Sequence, residues 1–263
     1  MRPEAISPEA ARYNARIVAR EDLTPTMATF RIALDLDPIP FEAGQYLTLG
    51  LDVGGTLVQR PYSIASSARK LADGYELYVR RVPGGAFTPA LFAAGAGDRL
   101  SVKRPKGRFV LGPDDGRTHL LVATGCGLAP FISMLRTLHD DGASRAAVVV
   151  HGVSYVAEFG YRGLLEGWER SGAVPLRYLP TISRPRAPEN VGWSKRTGRA
   201  EAQLPSVLDD LGLSPANAVV YLCGNPEMVT ASRELLAARG FSADSIHAEL
   251  YWPAAAVERG RRQ

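Results

Sequence analysis

The sequence predicts two domains in series, an antiparallel β-barrel followed by an α/β domain on a doubly wound parallel sheet, and three observations predict it. The chain has 263 residues, too many for one minimal core and too few for three domains. Its first part is a series of short β-rich runs separated by turn residues, the texture of an antiparallel barrel. After "LGPDDGRT" the runs become apolar strands alternating with helical segments, the signature of a parallel sheet covered by helices. The change of texture falls between Pro113 and Arg117, giving domains of 1–115 and 116–263.

In the first domain strands are expected in "YNARIVAREDL", "MATFRIALDL", "YLTLGLDV", "LVQRPYSIAS", "YELYVRRV" and "DRLSVKRPKGRFVL". Gly54-Gly55 makes a tight hairpin between the third and fourth, and a short helix is expected around "TPALFAAG", beginning at Thr88 and Pro89. The second domain opens on the strand "HLLVATG" and the helix "LAPFISMLRTLHD". It continues as "RAAVVVHGVS", "EFGYRGLLEGWERS", "VPLRYLPTIS", "AQLPSVLDDLG", "AVVYLCG", "PEMVTASRELLAARG" and "SIHAELYW", strand and helix in turn.

Composition excludes several classes. No stretch approaches the roughly 18 apolar residues of a membrane helix, and the opening residues carry no secretory signal, so a cytoplasmic protein without membrane association is expected, as a monomer. The two cysteines, Cys126 and Cys223, stand far apart in unrelated contexts, which suggests neither a disulfide framework nor a metal site. A net charge of +4 suits an acidic partner or simple solubility, and without a basic run interleaved with aromatics it is no evidence for nucleic acid. None of the histidines, His119, His139, His151 and His247, accompanies a G-x-S-x-G elbow, so nothing favours a hydrolase.

Three stretches carry chemistry. In "VATGCGLAPFISML" a buried strand is expected to end at Ala123, Gly125 and Gly127 permit a sharp turn, and Pro130 sits in the first turn of a helix. Backbone amides freed by such a turn suit a pyrophosphate, although glycine turns occur in any doubly wound sheet and the spacing departs from G-x-G-x-x-G. In "YLCGNPEMV" a strand is expected to end at Leu222, with Gly224 in the turn and Asn225 capping a helix from Pro226. Cys223 then stands at the carboxyl edge of the sheet, either as a small core residue or beside a ligand. In "LVQRPYSIASS" Pro61 interrupts a good β segment beside Arg60, which reads as a bulge or an edge.

Taken in order, "RPYS", "GCGLAPF", "CGNPEMV" and a late "AELYW" resemble the ferredoxin-NADP reductase family, especially its bacterial forms, within the wider flavin reductase superfamily. The resemblance spans roughly Tyr13 to Trp252. It implies an FAD-binding barrel, an NADP-binding α/β domain, hydride transfer between nicotinamide and flavin, and single-electron exchange with a ferredoxin or flavodoxin. It implies that Arg60 pairs with the FAD pyrophosphate, that Pro61 turns the backbone toward the ligand, that Tyr62 stacks near the isoalloxazine, and that Ser63 lies near its reacting nitrogen. It places Leu77, Tyr78 and Val79 in a flavin-contacting segment, with barrel packing as the alternative for Tyr78, and aims the amides of Gly85, Ala86, Phe87 and Thr88 at the phosphates. Relatives often carry lysine at Ala86, threonine at Cys126 and arginine at Ser154.

On the nicotinamide side the resemblance gives the pyrophosphate to Gly125, Cys126, Gly127 and Pro130, with Gly224 and Asn225 opposite. It gives the 2'-phosphate to Ser183, Arg184 and Arg199. Ser63 and Glu249 become the polar groups near the reacting atoms, Cys223 packs on the nicotinamide, Tyr251 covers the flavin and Trp252 lies on its adenine. The tail "PAAAVERGRRQ" runs past the usual terminal aromatic. An iron-sulfur domain needs four cysteine ligands and the chain has two, so the electron carrier is expected to be separate. The alternatives are a stand-alone NAD(P)H reductase of free flavin, ferric chelates or quinones, and a non-catalytic nucleotide-binding module.

Overall fold

The computed structural model describes residues 13–251, in which two sheets are packed side by side. The first contains strands β1 (Ala15–Thr24), β2 (Met27–Leu34), β3 (Tyr46–Val53), β4 (Thr56–Ser63), β5 (Tyr75–Arg80) and β6 (Arg99–Lys106), in the order β4-β3-β6-β1-β2-β5. Every pairing in it is antiparallel. The two edges meet at a bridge between Ile64 and Leu77, which closes the sheet into a barrel and removes most of its free edge. Inside, Phe30, Ile32, Leu47, Leu49, Leu77 and Leu100 are fully buried, and the short helix α1 (Phe87–Ala93) adds Phe87 and Leu91 to that core.

The second sheet holds β7 (Thr118–Thr124), β8 (Ala147–Val153), β9 (Leu176–Ile182), β10 (Arg196–Thr197), β11 (Ala218–Gly224) and β12 (Ile246–Leu250), all parallel, in the order β10-β9-β8-β7-β11-β12. Helices α2 (Ala129–Asp140), α3 (Arg162–Ser171), α4 (Ala200–Asp210) and α5 (Pro226–Ala238) complete the domain. The chain winds outward from β7 and then restarts at β11 on its other side, so the strand order reverses between β7 and β11. Ligands of open α/β sheets settle at the carboxyl end of such a reversal.

Three sequence expectations need correction. Pro61 does not interrupt its strand: β4 pairs with β3 residue for residue from Thr56 to Ser63 without a bulge. Because β4 lies at the end of the strand order, the proline's missing N–H costs no ladder bond on the outer side. Strands β7 and β11 run on to Thr124 and Gly224 rather than stopping at Ala123 and Leu222, since the parallel ladder continues past residues that look like turn formers. Helix α1 starts at Phe87, one residue before Thr88. Gly54 and Gly55, with φ of 61° and 81°, form the expected hairpin, where positive φ matches strand twist.

Strand β5 is buried on both faces and joins the two domains. Tyr75, Leu77 and Val79 point into the barrel. The alternate residues Glu76, Tyr78 and Arg80 point at the α/β domain. Glu76 accepts Arg136 Nη1 at 2.6 Å and Tyr161 Oη at 2.8 Å, and Arg31 of the neighbouring strand at 2.8 Å. Tyr78 donates its hydroxyl to the Glu158 carbonyl at 2.7 Å and accepts the Gly160 amide at 3.0 Å. Arg80 pairs with the Glu158 carboxylate at 2.8 Å. A Cβ on Gly160 would come within 2.6 Å of the Tyr78 ring, so glycine there is what lets the two domains approach.

Tyr78→Phe removes both bonds of the tyrosine hydroxyl and leaves the Glu158 carbonyl and the Gly160 amide only their own contact at 3.0 Å, and should cost about 1–3 kcal/mol of stability. The check is the urea midpoint at an unchanged m-value.

Candidate functional site

At the carboxyl rim of the parallel sheet two turns interlock. After β7 the chain makes a 3-10 turn over Gly125–Leu128 and enters α2, with Pro130 in its first turn. Gly125 has φ of 52°, and a Cβ on Gly127 would lie 2.4 Å from the Cys223 carbonyl oxygen, so only glycine lets this turn tuck against β11. Gly224, with φ of 131°, is equally constrained: its Cβ would lie 2.3 Å from Thr124 Oγ1. That same hydroxyl accepts the Asn225 amide at 2.8 Å, and Asn225 Oδ1 caps α5 by accepting the Glu227 amide at 2.7 Å.

His151 holds the first turn from below. Its Nε2 lies 3.0 Å from the Gly125 carbonyl and its Nδ1 3.2 Å from Tyr178 Oη. Burial pushes the imidazole down to about 4, so at neutral pH the ring is uncharged. Nε2 then donates to the carbonyl and Nδ1 accepts the tyrosine.

The barrel brings its motif to this rim. Ser63 Oγ donates to Glu249 Oε2 at 3.1 Å and accepts the Tyr251 hydroxyl at 2.6 Å. Glu249 sits on β12 in register with Cys223, and the Tyr251 amide donates to the Gly224 carbonyl at 2.9 Å. Burial raises the Glu249 carboxyl, with the Ser63 bond pulling the other way, and burial raises the Tyr251 phenol well above its ordinary range. Burial also raises the Cys126 and Cys223 thiols. Both stay protonated near neutrality, which makes them packing groups and not nucleophiles.

Arg60 and Tyr62 stand on the same face of β4 as Val58, and Val58 and Tyr62 pack against the barrel core. Arg60 Nη1 donates to the Gln59 carbonyl at 2.8 Å, and no carboxylate pairs with it among the described residues. Tyr62 is half-buried, its ring 5.6 Å from Phe87, and burial raises its phenol. Among the described residues the amides of Ala86, Phe87 and Thr88 have no backbone acceptor, whereas the Gly85 amide closes a turn on the Val82 carbonyl at 3.0 Å and is not free for a phosphate. Thr88 Oγ1 accepts the Val82 amide at 2.8 Å. An unpaired guanidinium beside free amides is the donor set that a pyrophosphate demands, so the residues present fit an FAD.

Other expected positions divide. Leu77 and Val79 are barrel core. Tyr78 neither packs in the barrel nor offers its hydroxyl to a ligand, because Glu158 and Gly160 already use it. Ser154, Ser183 and Arg199 follow the carboxyl ends of the neighbouring strands β8, β9 and β10, with Arg184 next to Ser183. The Ser183 amide donates to the Val153 carbonyl at 2.9 Å, and the Gly198 amide to the Ile182 carbonyl at 2.8 Å. Arg184 lies over Tyr155 and donates to its hydroxyl. Arg199 contacts Glu227 at 3.2 Å and Glu201 at 3.7 Å. Trp252 and the tail lie outside the described residues.

Several organising residues are not legible in the sequence. Glu158 accepts the Ser154 and Tyr155 amides at 2.9 and 3.2 Å while holding Arg80. Asn190 donates to the Ser154 and Arg184 carbonyls at 2.9 and 2.8 Å. Arg80 comes 3.6 Å from where a Gly125 Cβ would be. The one signal that points to it is the paired arginine of "YVRRV" ahead of a Gly-Gly turn.

Comparison with known proteins agrees with this layout. Residues 14–111 match the family described as Oxidoreductase FAD-binding domain, and residues 121–234 match Oxidoreductase NAD-binding domain. The chain is 33% identical over 250 residues to Ferredoxin--NADP reductase B of Sorangium cellulosum, covering 92% of this chain and 99% of that one. It is 30% identical over 248 residues to reductase component 1 of terephthalate 1,2-dioxygenase from Comamonas sp., covering 94% of this chain and 70% of that one. A ferredoxin NADP+ reductase from Neisseria gonorrhoeae, solved with bound FAD and NADP, shares the fold with a TM-score of 0.78 at 24% identity, over 92% of this chain and 99% of that one.

Burial raises the Glu249 carboxyl in the folded state, so the folded protein holds a proton there that the unfolded chain has lost. Stability therefore falls as pH rises above the ordinary carboxylate range. Glu249→Gln keeps an acceptor for Ser63 and removes that fall. Its melting temperature relative to wild type should climb as pH rises above the ordinary carboxylate range, as read by calorimetry; a pH-independent difference would contradict the burial argument.

Proposed function

The chain belongs to the ferredoxin-NADP reductase family and is an FAD- and NAD(P)-dependent oxidoreductase, and from that premise we propose that it exchanges electrons between NADPH and a separate ferredoxin or flavodoxin. One NADPH carries two electrons and so reduces two such carriers, with one proton released. FAD, when bound, supplies the change from paired to single electrons. The observation that carries the reading is the contact of Ser63 with Glu249 and Tyr251, which brings the barrel motif to the rim where β7 and β11 end.

Each residue's part follows from its chemistry. Arg60 and the amides of Ala86, Phe87 and Thr88 bind the FAD pyrophosphate, and Tyr62 offers a flat ring beside it. Tyr251 covers the rim and excludes water until the nicotinamide displaces it; Cys223, small and protonated, leaves room for that ring. Ser63 and Glu249 form a hydrogen-bonded pair in which the serine hydroxyl donates its proton toward Oε2. The Cys126–Pro130 turn, set by His151, takes the NADP pyrophosphate, and Ser183, Arg184 and Arg199 receive the 2'-phosphate. The domain boundary near residue 115 and a cytoplasmic setting accompany this reading. Among the described residues no helix is long and apolar enough to cross a membrane.

The test compares oxidation of NADPH and NADH with a ferredoxin, a flavodoxin and a quinone as acceptors. Reduction of the protein carriers supports the reading. Turnover with the quinone alone would favour a stand-alone reductase, and a protein that binds no flavin would point to a nucleotide-binding module. Arg199 already touches two carboxylates, so Arg199→Ala should raise KM for NADPH by only about fivefold, the effect of roughly 1 kcal/mol, and leave KM for NADH unchanged. Equal effects on both would remove Arg199 from the phosphate site.

A further inference from the structure

A crevice of about 420 Å³ opens between the two domains along the second half of α2, a volume in the range of small-molecule sites. The barrel side supplies Phe41, Ala43 and Ala68, the connection between the domains supplies Leu111, and α2 supplies Met134 and Leu138. These make an apolar floor. The loop that carries Phe41 and Ala43 is clamped in place at Gly44, where φ is 103° and a Cβ would come within 2.1 Å of the Phe109 carbonyl oxygen and 2.6 Å of the Met134 side chain. Helix α2 begins at the Gly125–Leu128 turn, and Leu138 lies roughly 12 Å along its axis from Pro130. The crevice is therefore separate from the rim that receives the nicotinamide.

Two arginines line the same crevice, and they are unequally satisfied. Arg69 is held by Asp141 through Nε at 2.6 Å and Nη2 at 2.9 Å. Arg145 is different. Its side chain is only 21% exposed, yet among the described residues a guanidinium with N–H donors to spare makes a single hydrogen bond, from Nη1 to the Gly112 carbonyl at 2.7 Å. Asp114 stands 3.5 Å from Nε and is itself more than half exposed, beyond good hydrogen-bond range. The Gly112 amide donates to Tyr221 Oη at 3.0 Å, so the backbone that fixes the guanidinium is itself fixed. A largely buried cation with unused donors favours an anion brought to it. Thr137 Oγ1 accepts the Ala68 amide at 3.0 Å, and the Glu42 carboxylate, also on the lining, repels a second negative charge.

We infer that this crevice binds a small organic monocarboxylate, its carboxylate on Arg145 and an apolar body about the size of a phenylalkyl group against Phe41, Leu111, Met134 and Leu138. The inference goes beyond the reductase reading and does not depend on it. The floor rewards apolar area removed from water, and the guanidinium rewards a planar anion that accepts two N–H bonds together. Neither feature alone selects this ligand class; their adjacency does. Because the barrel, the connection and the α/β domain each supply a wall, an occupant touches both domains and favours their docked arrangement by mass action.

The test uses the FAD-loaded full chain with 4-phenylbutyrate as the probe, 4-phenylbutan-1-ol as its neutral counterpart and acetate as the head group alone. Isothermal calorimetry should show one site per chain with a Kd of about 1 mM or tighter, unchanged by saturating NADP+. The alcohol and acetate should each bind at least about tenfold more weakly, and Arg145→Gln should weaken phenylbutyrate roughly tenfold. Arg145 also holds the Gly112 carbonyl, so a second variant leaves it in place. Leu138→Trp fills the crevice and should abolish binding while FAD content and quinone reduction by NADPH stay at the wild-type level. The thermal midpoint of wild type should rise with phenylbutyrate concentration, and that of Leu138→Trp should not. Binding retained by Leu138→Trp at wild-type strength would put the site elsewhere and overturn the proposal. Equal affinity for the alcohol would leave an apolar cleft without anion recognition, and overturn it too. Competition by NADP+ would assign the binding to the nicotinamide rim; that result, or no saturable binding at all, would equally contradict it.

Discussion

The arrangement depends on strand β5 having no exposed face. One side of it is barrel core, through Tyr75, Leu77 and Val79; the other is the domain seam, through Glu76, Tyr78 and Arg80. The seam is reciprocal. The barrel contributes a buried carboxylate, Glu76, to Arg136 and Tyr161 of the α/β domain, and the α/β domain contributes Glu158 to Arg80 and Tyr78 of the barrel. Desolvating such groups brings little net stability, but leaving one unpaired is strongly unfavourable. Alternative dockings of the two domains are therefore penalised, and the one that satisfies both carboxylates also sets Ser63 against Glu249 and Tyr251.

The same seam ties structure to chemistry on the nicotinamide side. Glu158 holds Arg80 with one oxygen and the Ser154 and Tyr155 amides with the other, so the loop beside Arg184 is fixed to the strand that passes Gly125. His151, kept neutral by burial, fixes the Gly125 carbonyl, and Thr124 joins the β7 turn to the β11 turn. The chain's own side chains at the rim are weakly reactive: protonated thiols, a buried phenol and a carboxyl raised by burial. They bind, orient and exclude water, which is what a protein contributes when a cofactor performs the redox step.

Local pattern makes much of this legible. The barrel strands show alternation and the hairpin glycines, and the inner parallel strands β8 and β11 are buried at every position. Strand ends differ from the sequence reading where glycine stays in the ladder, as at Gly224. The proline of β4 looks disruptive in sequence because edge position is a property of the sheet's order, which a single strand does not reveal. The place of Tyr78 at the seam is hidden because alternation says which face a residue occupies and not what lies across it. Glu158, Asn190 and His151 are hidden for the same reason: Asn190 and His151 meet backbone groups distant in sequence, and Glu158 meets the distant Arg80 side chain. The four ordered motifs, by contrast, are sufficient to identify the family.

The most direct test of the seam is an anaerobic single turnover in which flavin bleaching by NADPH is timed for wild type and for the Glu76→Gln, Glu158→Gln double variant, both loaded with FAD. The seam account predicts that the variant keeps its FAD and bleaches at least tenfold more slowly, because the nicotinamide rim no longer holds its place against the barrel. A variant that retains FAD and bleaches at the wild-type rate would contradict it.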